Sequence, residues 1–573
     1  MTGNPPLKKI VQRSFAPAKD HLGDLHPVIK RILLARGIYQ KESLNLSLAK
    51  LPSPWLLSGM ETMVEHLINA IDQQKKILIV ADYDADGATA CAVAIKGLTS
   101  MGAKHVDFIV PNRFEYGYGL TPEIVALAQQ QQPDVIITVD NGISSLDGVK
   151  AAKEQGIIIL VTDHHLPGEQ LPEADAIVNP NLADDEFPSG ALAGVGVIFY
   201  VLMALRNRLR EQNWFDNKQI PEPNLGQLLD LVALGTVADV VPLDAINRCL
   251  VYQGIKRIRA RRCCPGIQSL IEISGRKTQT LSSSDLGFAL GPRLNAAGRM
   301  DDMSLGIQGL LTDDPILAKE IALQLDDLNS DRRDVEGQMK TEALQLLQQM
   351  KAINDTHIPW GVCLYDKNWH QGVIGILASR IKDKVHRPVI AFAPAGEDQI
   401  KGSARSIPEV HIRDILSEIA SRHPNLLSKF GGHAMAAGLS LSMHDYPAFA
   451  LAFDEVVEDK LKNTDLSLRI SSDGELEEKD ISIEFAELLD SYSPWGQGFP
   501  EPLFNGVFDV IQARIVGKSH LKLVMRCPSS ERLIDAIHFF IDNPESWLGI
   551  RQVKAVYQLD RKSTRLNSSH TSI

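Results

Sequence analysis

Three nearly continuous apolar runs that end abruptly in acids constrain this chain more than any other feature of its sequence. Lys76–Val80 leads into Asp82, Asp84 and Asp86; Asp134–Val139 leads into Asp140; Gly156–Val161 leads into Asp163, His164 and His165. Two further runs, Val106–Val110 and Ala176–Val178, have the same character. Strands this apolar lack the alternation of a one-sided sheet and read as parallel strands buried on both faces. The stretches between them are long enough for crossover helices, which predicts a doubly wound α/β domain. In such a sheet the carboxyl ends of the strands line one edge, where ligands bind. The acids and histidines are therefore expected to converge although they are far apart in sequence. A single Asp after a strand is ordinarily the N-cap of the next helix; three strands ending this way, one with two adjacent histidines, are poorly explained by capping alone.

A crowd of carboxylates repels itself unless cations neutralise it. Mixed Asp and His donors suit manganese, with magnesium possible. An Asp able to bridge two ions would give a two-metal site of the kind that clamps the attacking and leaving oxygens of a displacement at phosphorus. Asp239, embedded in the apolar stretch Leu234–Val241, is a further candidate ligand, and Gly87 and Gly142 would let backbone approach a phosphate.

Bulk properties narrow the classes. At 573 residues the chain is expected to hold three or four domains. No apolar run reaches the roughly 18 residues of a membrane span, and Val195–Leu205 reads as a buried helix. The N-terminus lacks a signal pattern, so a cytoplasmic location is expected. The net charge of −12 argues against broad coating of nucleic acid but leaves room for a locally basic groove. The six cysteines form no CxxC pair, which argues against a zinc ribbon or a disulfide framework. Gly517-Lys518-Ser519 lacks the upstream glycine of a P-loop, and neither HExxH nor G-x-S-x-G occurs.

The expected organisation is a helical lead-in over 1–50, the acid-bearing α/β domain over 51–312, a connecting helix within 313–354 and a second α/β domain over 355–461. A small β-barrel follows over 465–560, and 561–573, rich in Ser, Thr and Asn, reads as a non-native or disordered tail. Within the connecting helix Asp314 is the expected N-cap, and the polar middle, Asn329–Asp334, is expected to be solvated.

The motifs VADYDADG (80–87), VDNG (139–142) and TDHH (162–165), with the later Asp239, resemble those of the DHH phosphoesterase superfamily. The resemblance implies two catalytic cations, with Asp84, Asp86, His164 and Asp239 as ligands and Asp140 as the bridge. It places His165 against metal or scissile phosphate and Asp163 behind a histidine; Asp82 stands where some members carry a histidine ligand. Gly291–Met300 (GPRLNAAGRM), where Arg293 and Arg299 flank a glycine-bounded turn, resembles a RecJ-like motif and makes either arginine a candidate phosphate contact. Asn368–Gly375 and Phe430–Gly438 resemble the DHHA1 domain, which implies that His370 and His433 face the cleft. Ser403 and Arg405, with Arg113, are candidates for a 5′-phosphate pocket.

Ser493–Pro502 resembles the RecJ-like lead into an OB fold, where Trp495 and Phe499 would either stack on bases or pack in the core. Lys518, His520 and Lys522 alternate along an expected strand, and Lys256, Arg257 and Arg259 lie in the densest basic stretch; both are candidate DNA-facing groups. Together these likenesses imply a metal-dependent 5′→3′ exonuclease on single-stranded DNA, a monomer off the membrane, with single-strand-binding protein and a RecQ-type helicase as partners. Two alternatives stay open: a pyrophosphatase, or a phosphodiesterase for short oligonucleotides or cyclic dinucleotides, of the same superfamily, and a catalytically inert scaffold. The first needs no barrel domain, and the second would be expected to have lost ligands.

Overall fold

In the computed structural model, residues 9–16, 20–112, 119–353, 358–396, 398–427, 429–517, 519–528, 530–541, 543–560 and 565–572 are described, the side chains of 351–353 and 565–572 excepted. Strand β1 (Ile77–Ala81) is buried along its whole length, as its unbroken apolar sequence requires. Helix α1 (Ala85–Ser100) follows, then β2 (Val106–Ile109), α2 (Pro122–Gln129), β3 (Val135–Val139), α3 (Leu146–Glu154), β4 (Ile158–Thr162) and β5 (Ala176–Val178). The strands form one parallel sheet in the order β2-β1-β3-β4-β5. The order reverses between β1 and β3, the topological switch point at which open α/β sheets bind ligands. The acid-bearing loops after β1 and β3 are the two that flank it.

Helices α4 (Gly194–Glu211), α5 (Leu229–Ala238) and α6 (Ala245–Arg259) complete this layer, and α1 packs on both α4 and α5. α1 is made largely of Ala, Gly and Thr, which lets these helices approach closely. The predicted buried helix over Val195–Leu205 is α4. The stretch read as a glycine-bounded turn is helical: a π-helical turn over Leu286–Leu290 runs directly into helix α7 (Gly291–Met300).

Helix α8 (Pro315–Ile353) runs 39 residues. Asp314 caps it, its Oδ1 accepting from the Ile316 amide at 2.8 Å. The expected solvation of its polar middle is not seen at two positions: Asn329 and Arg332 are buried, with Arg332 Nη2 donating to Asn329 Oδ1 at 2.9 Å. Arg332 Nη1 also donates to Glu336 Oε2 at 2.9 Å, so two of its donor groups keep partners where water is excluded.

Contacts divide the chain within α8. One unit comprises Ile10–Asp327 with Ser471–Ile573; the other holds Leu328–Ile470 and Lys9. The second unit is built on β6 (Val362–Tyr365), α9 (Ile374–Val385), β7 (Val389–Pro394), β8 (Gln399–Arg405), α10 (Ile412–Arg422), β9 (Lys429–Gly432), β10 (Ala436–Ser442) and α11 (Tyr446–Leu461). Its sheet order is β9-β10-β8-β7-β6, parallel only between β6 and β7.

The C-terminal strands β11 (Phe504–Val516), β12 (His520–Arg526), β13 (Leu533–His538), β14 (Gln552–Leu559) and β15 (Arg565–Ser572) close a barrel in the order β11-β12-β13-β15-β14. This corrects the reading of 561–573 as a tail without strand structure: β15 pairs with β13 in parallel and with β14 antiparallel. Its polar composition hid it, because only one face of a barrel strand must be apolar and backbone pairing is indifferent to side chain. Within the first unit, Arg36, its side chain 1% exposed, grips Asp473 ahead of the barrel strands through Nη1 at 2.7 Å and Nη2 at 2.9 Å.

Removing residues 561–573 leaves one edge each of β13 and β14 without a partner. Backbone amides of 533–538 and 552–559 are then expected to exchange with deuterium on the order of ten-fold faster or more, because exchange tracks local opening. Unchanged protection would show that β15 adds no pairing in solution.

Candidate metal centre

The site begins with a helix start. Asp84 caps α1, its Oδ1 accepting from the amides of Asp86 at 2.8 Å and Gly87 at 3.1 Å. One turn inward Asp86 is fully buried, and its two oxygens accept from Gly194 N at 2.6 Å and Val195 N at 3.0 Å, the first amides of α4. Two helix N-termini thus converge on the Asp84–Asp86 loop and partly offset its charge. After β3, Asp140 turns back at φ +63°, a backbone region that Asp tolerates better than most residues. It lies so close to α4 that a Cβ on Gly194 would stand 2.5 Å from Asp140 Cβ, so only glycine fits there.

After β4, Asp163 spends both oxygens on fixing its neighbours. Oδ2 accepts from Ile143 N at 2.9 Å; Oδ1 accepts from the amides of His164 and His165 and from His165 Nδ1 at 2.7 Å. Asn179 and Asn181 pin the His165 and His164 carbonyls at 2.9 Å and 2.6 Å. The two rings serve different ends. His164 Nε2 lies 3.1 Å from Asp140 Oδ1 and 3.5 Å from Asp239 Oδ2, buried without a hydrogen-bond partner among the described residues. Asp239 arrives from another direction, at the C-cap of α5, followed by Val240 at φ +66°, a strained position for a β-branched residue.

These side chains form three overlapping donor groups, each with its ligand atoms within 4.8 Å of one another: Asp82, Asp84 and Asp140; Asp140, His164 and His165; and Asp86, His164 and Asp239. Asp140 and His164 each belong to two. The electrostatics match a cation site. Burial, then the charges of Asp86 and Asp84, push Asp140 well above the usual carboxylate range; burial, then Asp239 and Asp84, do the same to Asp86. Burial and Asp84 lift Asp239 to about 7. Two like charges about 4 Å apart cost on the order of 4 kcal/mol at a protein-like dielectric, so the cluster cannot be fully ionised without counter-charge. Burial, then the charge of His165, pushes His164 down to about 4, leaving a neutral imidazole with a lone pair to offer. Burial also disfavours charge on His165, but the hydrogen bond and charge of Asp163 outweigh it and raise that ring to about 9. An orphaned imidazole nitrogen amid hard oxygen donors fits one or more divalent cations of the manganese or magnesium type.

Comparisons with known proteins identify the family. The family model for the DHH family N-terminal domain matches residues 76–236, the DHHA1 domain matches 359–459 and the RecJ OB domain matches 472–570. The single-stranded-DNA-specific exonuclease RecJ of Salmonella typhimurium is 51% identical over 550 residues, covering 95% of each chain. The Escherichia coli RecJ is 49% identical over 562 residues, covering 97% of each. The chain belongs to the RecJ family. Its fold is that of RecJ from Thermus thermophilus solved in complex with Mn2+, with a TM-score of 0.81 at 28% identity over 100% of this chain and 80% of the other. A Mg2+ complex of the Thermus thermophilus RecJ superposes with a TM-score of 0.74 at 26% identity, covering 99% of this chain and 78% of that one.

The remaining sequence-derived candidates divide. Arg113 and Lys518 lie outside the described residues. Arg293 is not an open phosphate contact: its Nη2 is paired with Asp326 Oδ1 at 2.8 Å and Nη1 donates to the Ala289 carbonyl at 2.6 Å. Arg299 is half-buried at the end of α7. Phe499 cannot stack on a base. It is 2% exposed, parallel to Trp495 at 5.0 Å, with the Arg248 guanidinium 3.9 Å from its ring centre. Trp495 is half-buried by the same stack and has Arg36 5.5 Å from its ring centre. These rings and guanidinium groups form a cation–π layer ahead of the barrel strands, which satisfies their area better than solvent would. Lys522 is neutralised by Asp535 at 3.0 Å. In α6, Arg259 is tied to the Leu281 carbonyl and Asp490, and Arg257 to the Arg262 carbonyl, leaving Lys256 exposed.

Within the second unit, Arg405 Nη1 donates to Ser403 Oγ at 3.1 Å. A Cβ on Gly375, in the first turn of α9, would stand 2.9 Å from Arg405 Nη2 and 3.0 Å from Ser403 Oγ. The serine and the arginine thus lie together against the start of α9. His370 accepts from the Gly372 amide through Nδ1 at 3.1 Å, and His433 is exposed after β9. Sequence reading missed the amides of Gly194 and Val195, and it missed Asn179, Asn181 and Asn295; backbone donors leave no signal in sequence, and lone asparagines leave little.

The metal-free cluster holds protons at neutral pH that a cation must displace, since the carboxyl pKa values are raised. Mn2+ affinity is therefore expected to climb steeply between about pH 6 and pH 8 with net proton release, measurable by titration calorimetry in buffers of different ionisation enthalpy. His164 is already neutral in that window and contributes no proton. A flat pH profile would show that the carboxylates are ionised before the cation arrives.

Proposed function

We propose that this chain is a single-stranded-DNA-specific 5′→3′ exonuclease that hydrolyses the terminal phosphodiester bond and releases mononucleotides. The observation that carries the reading is the overlap of three donor groups at Asp140 and His164. A shared carboxylate at the centre of such a set suits two divalent cations with Asp140 as their bridge, Mn2+ favoured and Mg2+ possible. Cations held there would lower the pKa of a bound water and neutralise charge developing on the phosphoryl oxygens.

The chain's own residues do the rest. Asp84, Asp86, Asp239 and His164 hold the donor geometry, with Asp82 completing the outer group. His165, oriented by Asp163 through Nδ1, is assigned to face the cations or the scissile phosphate. Ser403 and Arg405 are assigned the terminal 5′ phosphate, which would give the enzyme its polarity; Arg299, His370 and His433 are assigned further phosphate contacts. The DNA strand beyond is assigned to the barrel and to Lys256. Single-strand-binding protein and a RecQ-type helicase are the partners such an activity would use, in the cytoplasm, with the enzyme acting as a monomer in DNA repair and recombination. Among the described residues no helix is long and apolar enough to cross a membrane.

Digestion of end-labelled DNA with added Mn2+ tests the reading. Label at the 5′ end of a single strand is expected to appear at once as mononucleotide, with blunt duplex resistant. Release from the 3′ end first, or equal attack on duplex, would overturn the assignment. Asp140→Ala is expected to lower the rate by at least about 10³-fold, because removing a bridging ligand disables the whole displacement.

A further inference from the structure

The loop that carries Asp82, Asp84 and Asp86 is held from outside by α7. The Ala85 amide, between two of those acids, donates to Asn295 Oδ1 at 2.8 Å. Of the two ends of the Asn295 side-chain amide only the oxygen can accept an N–H, so this contact fixes the orientation of that amide. Three residues further along, Gly298 lies so close to the loop that a Cβ there would stand 1.9 Å from the Tyr83 carbonyl oxygen. The other end of α7 is also fastened. Arg293 joins the Ala289 carbonyl to Asp326, and Asp326 belongs to the first turns of α8. Ala318, Ile321, Ala322 and Leu325 of those turns are buried, so Asp326 stands on a fixed base.

We propose that Asn295 is a positioning residue for the divalent-cation site, and that α7 acts as a strut from the base of α8 to the Asp82–Asp86 loop, with the Arg293–Asp326 pair securing its far end. Asn295 acts at the start of α1. Its first amides lack intrahelical partners. Asp84 Oδ1 takes those of Asp86 and Gly87, and Asn295 takes that of Ala85. Without Asn295 the Ala85 amide, set between Asp84 and Asp86, loses its acceptor, and the loop loses the restraint that α7 places on it. The motif that supplies Asn295 thereby acts through loop geometry as well as through its arginines.

This inference rests on the metal-centre reading, and the experiment separates the two. Mn2+ binding to the metal-free full-length protein is measured by calorimetry, alongside its melting temperature without metal. Asn295→Ala is expected to weaken Mn2+ binding by about ten-fold or more, the usual effect of losing a group behind a ligand, with little change in metal-free melting. Asn295→Asp is expected to restore binding, since a carboxylate oxygen accepts the same N–H and a helix start favours negative charge. Asp326→Asn is expected to weaken Mn2+ binding a few-fold, and less than multiplicatively when combined with Asn295→Ala, because both act through one strut. Parent-like Mn2+ affinity in Asn295→Ala would overturn the positioning role, and fully multiplicative losses would overturn the strut. Should Asn295→Ala fail to fold, Asp326→Asn and Asn295→Asp still decide the matter. If the parent protein itself binds no Mn2+, the metal-centre reading fails first and the inference falls with it.

Discussion

Mutual repulsion among buried carboxylates at the carboxyl edge of the parallel sheet is the constraint around which this molecule is arranged. Asp86 and Asp140 are each 1% exposed, and together with Asp82, Asp84 and Asp239 they would destabilise any fold that left them ionised and uncompensated. Partial compensation is built in. The starts of α1 and α4 aim backbone amides at Asp84 and Asp86, and glycine at 194 lets α4 approach Asp140 closely. What remains uncompensated is the capacity to hold divalent cations. The stability of the catalytic unit and its chemistry are therefore linked through the same few oxygens.

The adjacent histidines show how finely position divides function. His164 and His165 are neighbours in sequence with ring centres 4.6 Å apart, yet one is driven towards neutrality and the other towards charge. The difference is Asp163, which bonds to one ring only. Two identical side chains thereby sit in opposite electrostatic settings, by the rule that environment, not residue type, sets protonation.

Several groups with the composition of a nucleic-acid surface serve instead to hold the fold together. Trp495, Phe499, Arg248 and Arg36 form a stacked layer within the first unit, and Arg293 braces α7 against α8. Arginine suits both tasks, because its planar, weakly hydrated head packs on rings and forks onto carboxylates as readily as it grips phosphate. Composition alone cannot distinguish these uses; only the position of the partner can.

By itself the sequence determined the α/β sheet, the convergence of its acids and the family. Buried parallel strands must be continuously apolar, and the residues after Val80, Val139 and Val161 must then share one edge. It also marked the capped connecting helix through Asp314 and Pro315. Tertiary structure alone decided which donors share an atom's reach, that Asp140 and His164 are the shared pair, and that Gly194, Val195 and Asn295 hold the loops in place. It also decided that a Ser- and Thr-rich terminus closes the barrel. Those features rest on backbone amides, close approach and strand pairing between distant segments. A side-chain sequence does not encode them locally, because they exist only once the chain has brought the segments together.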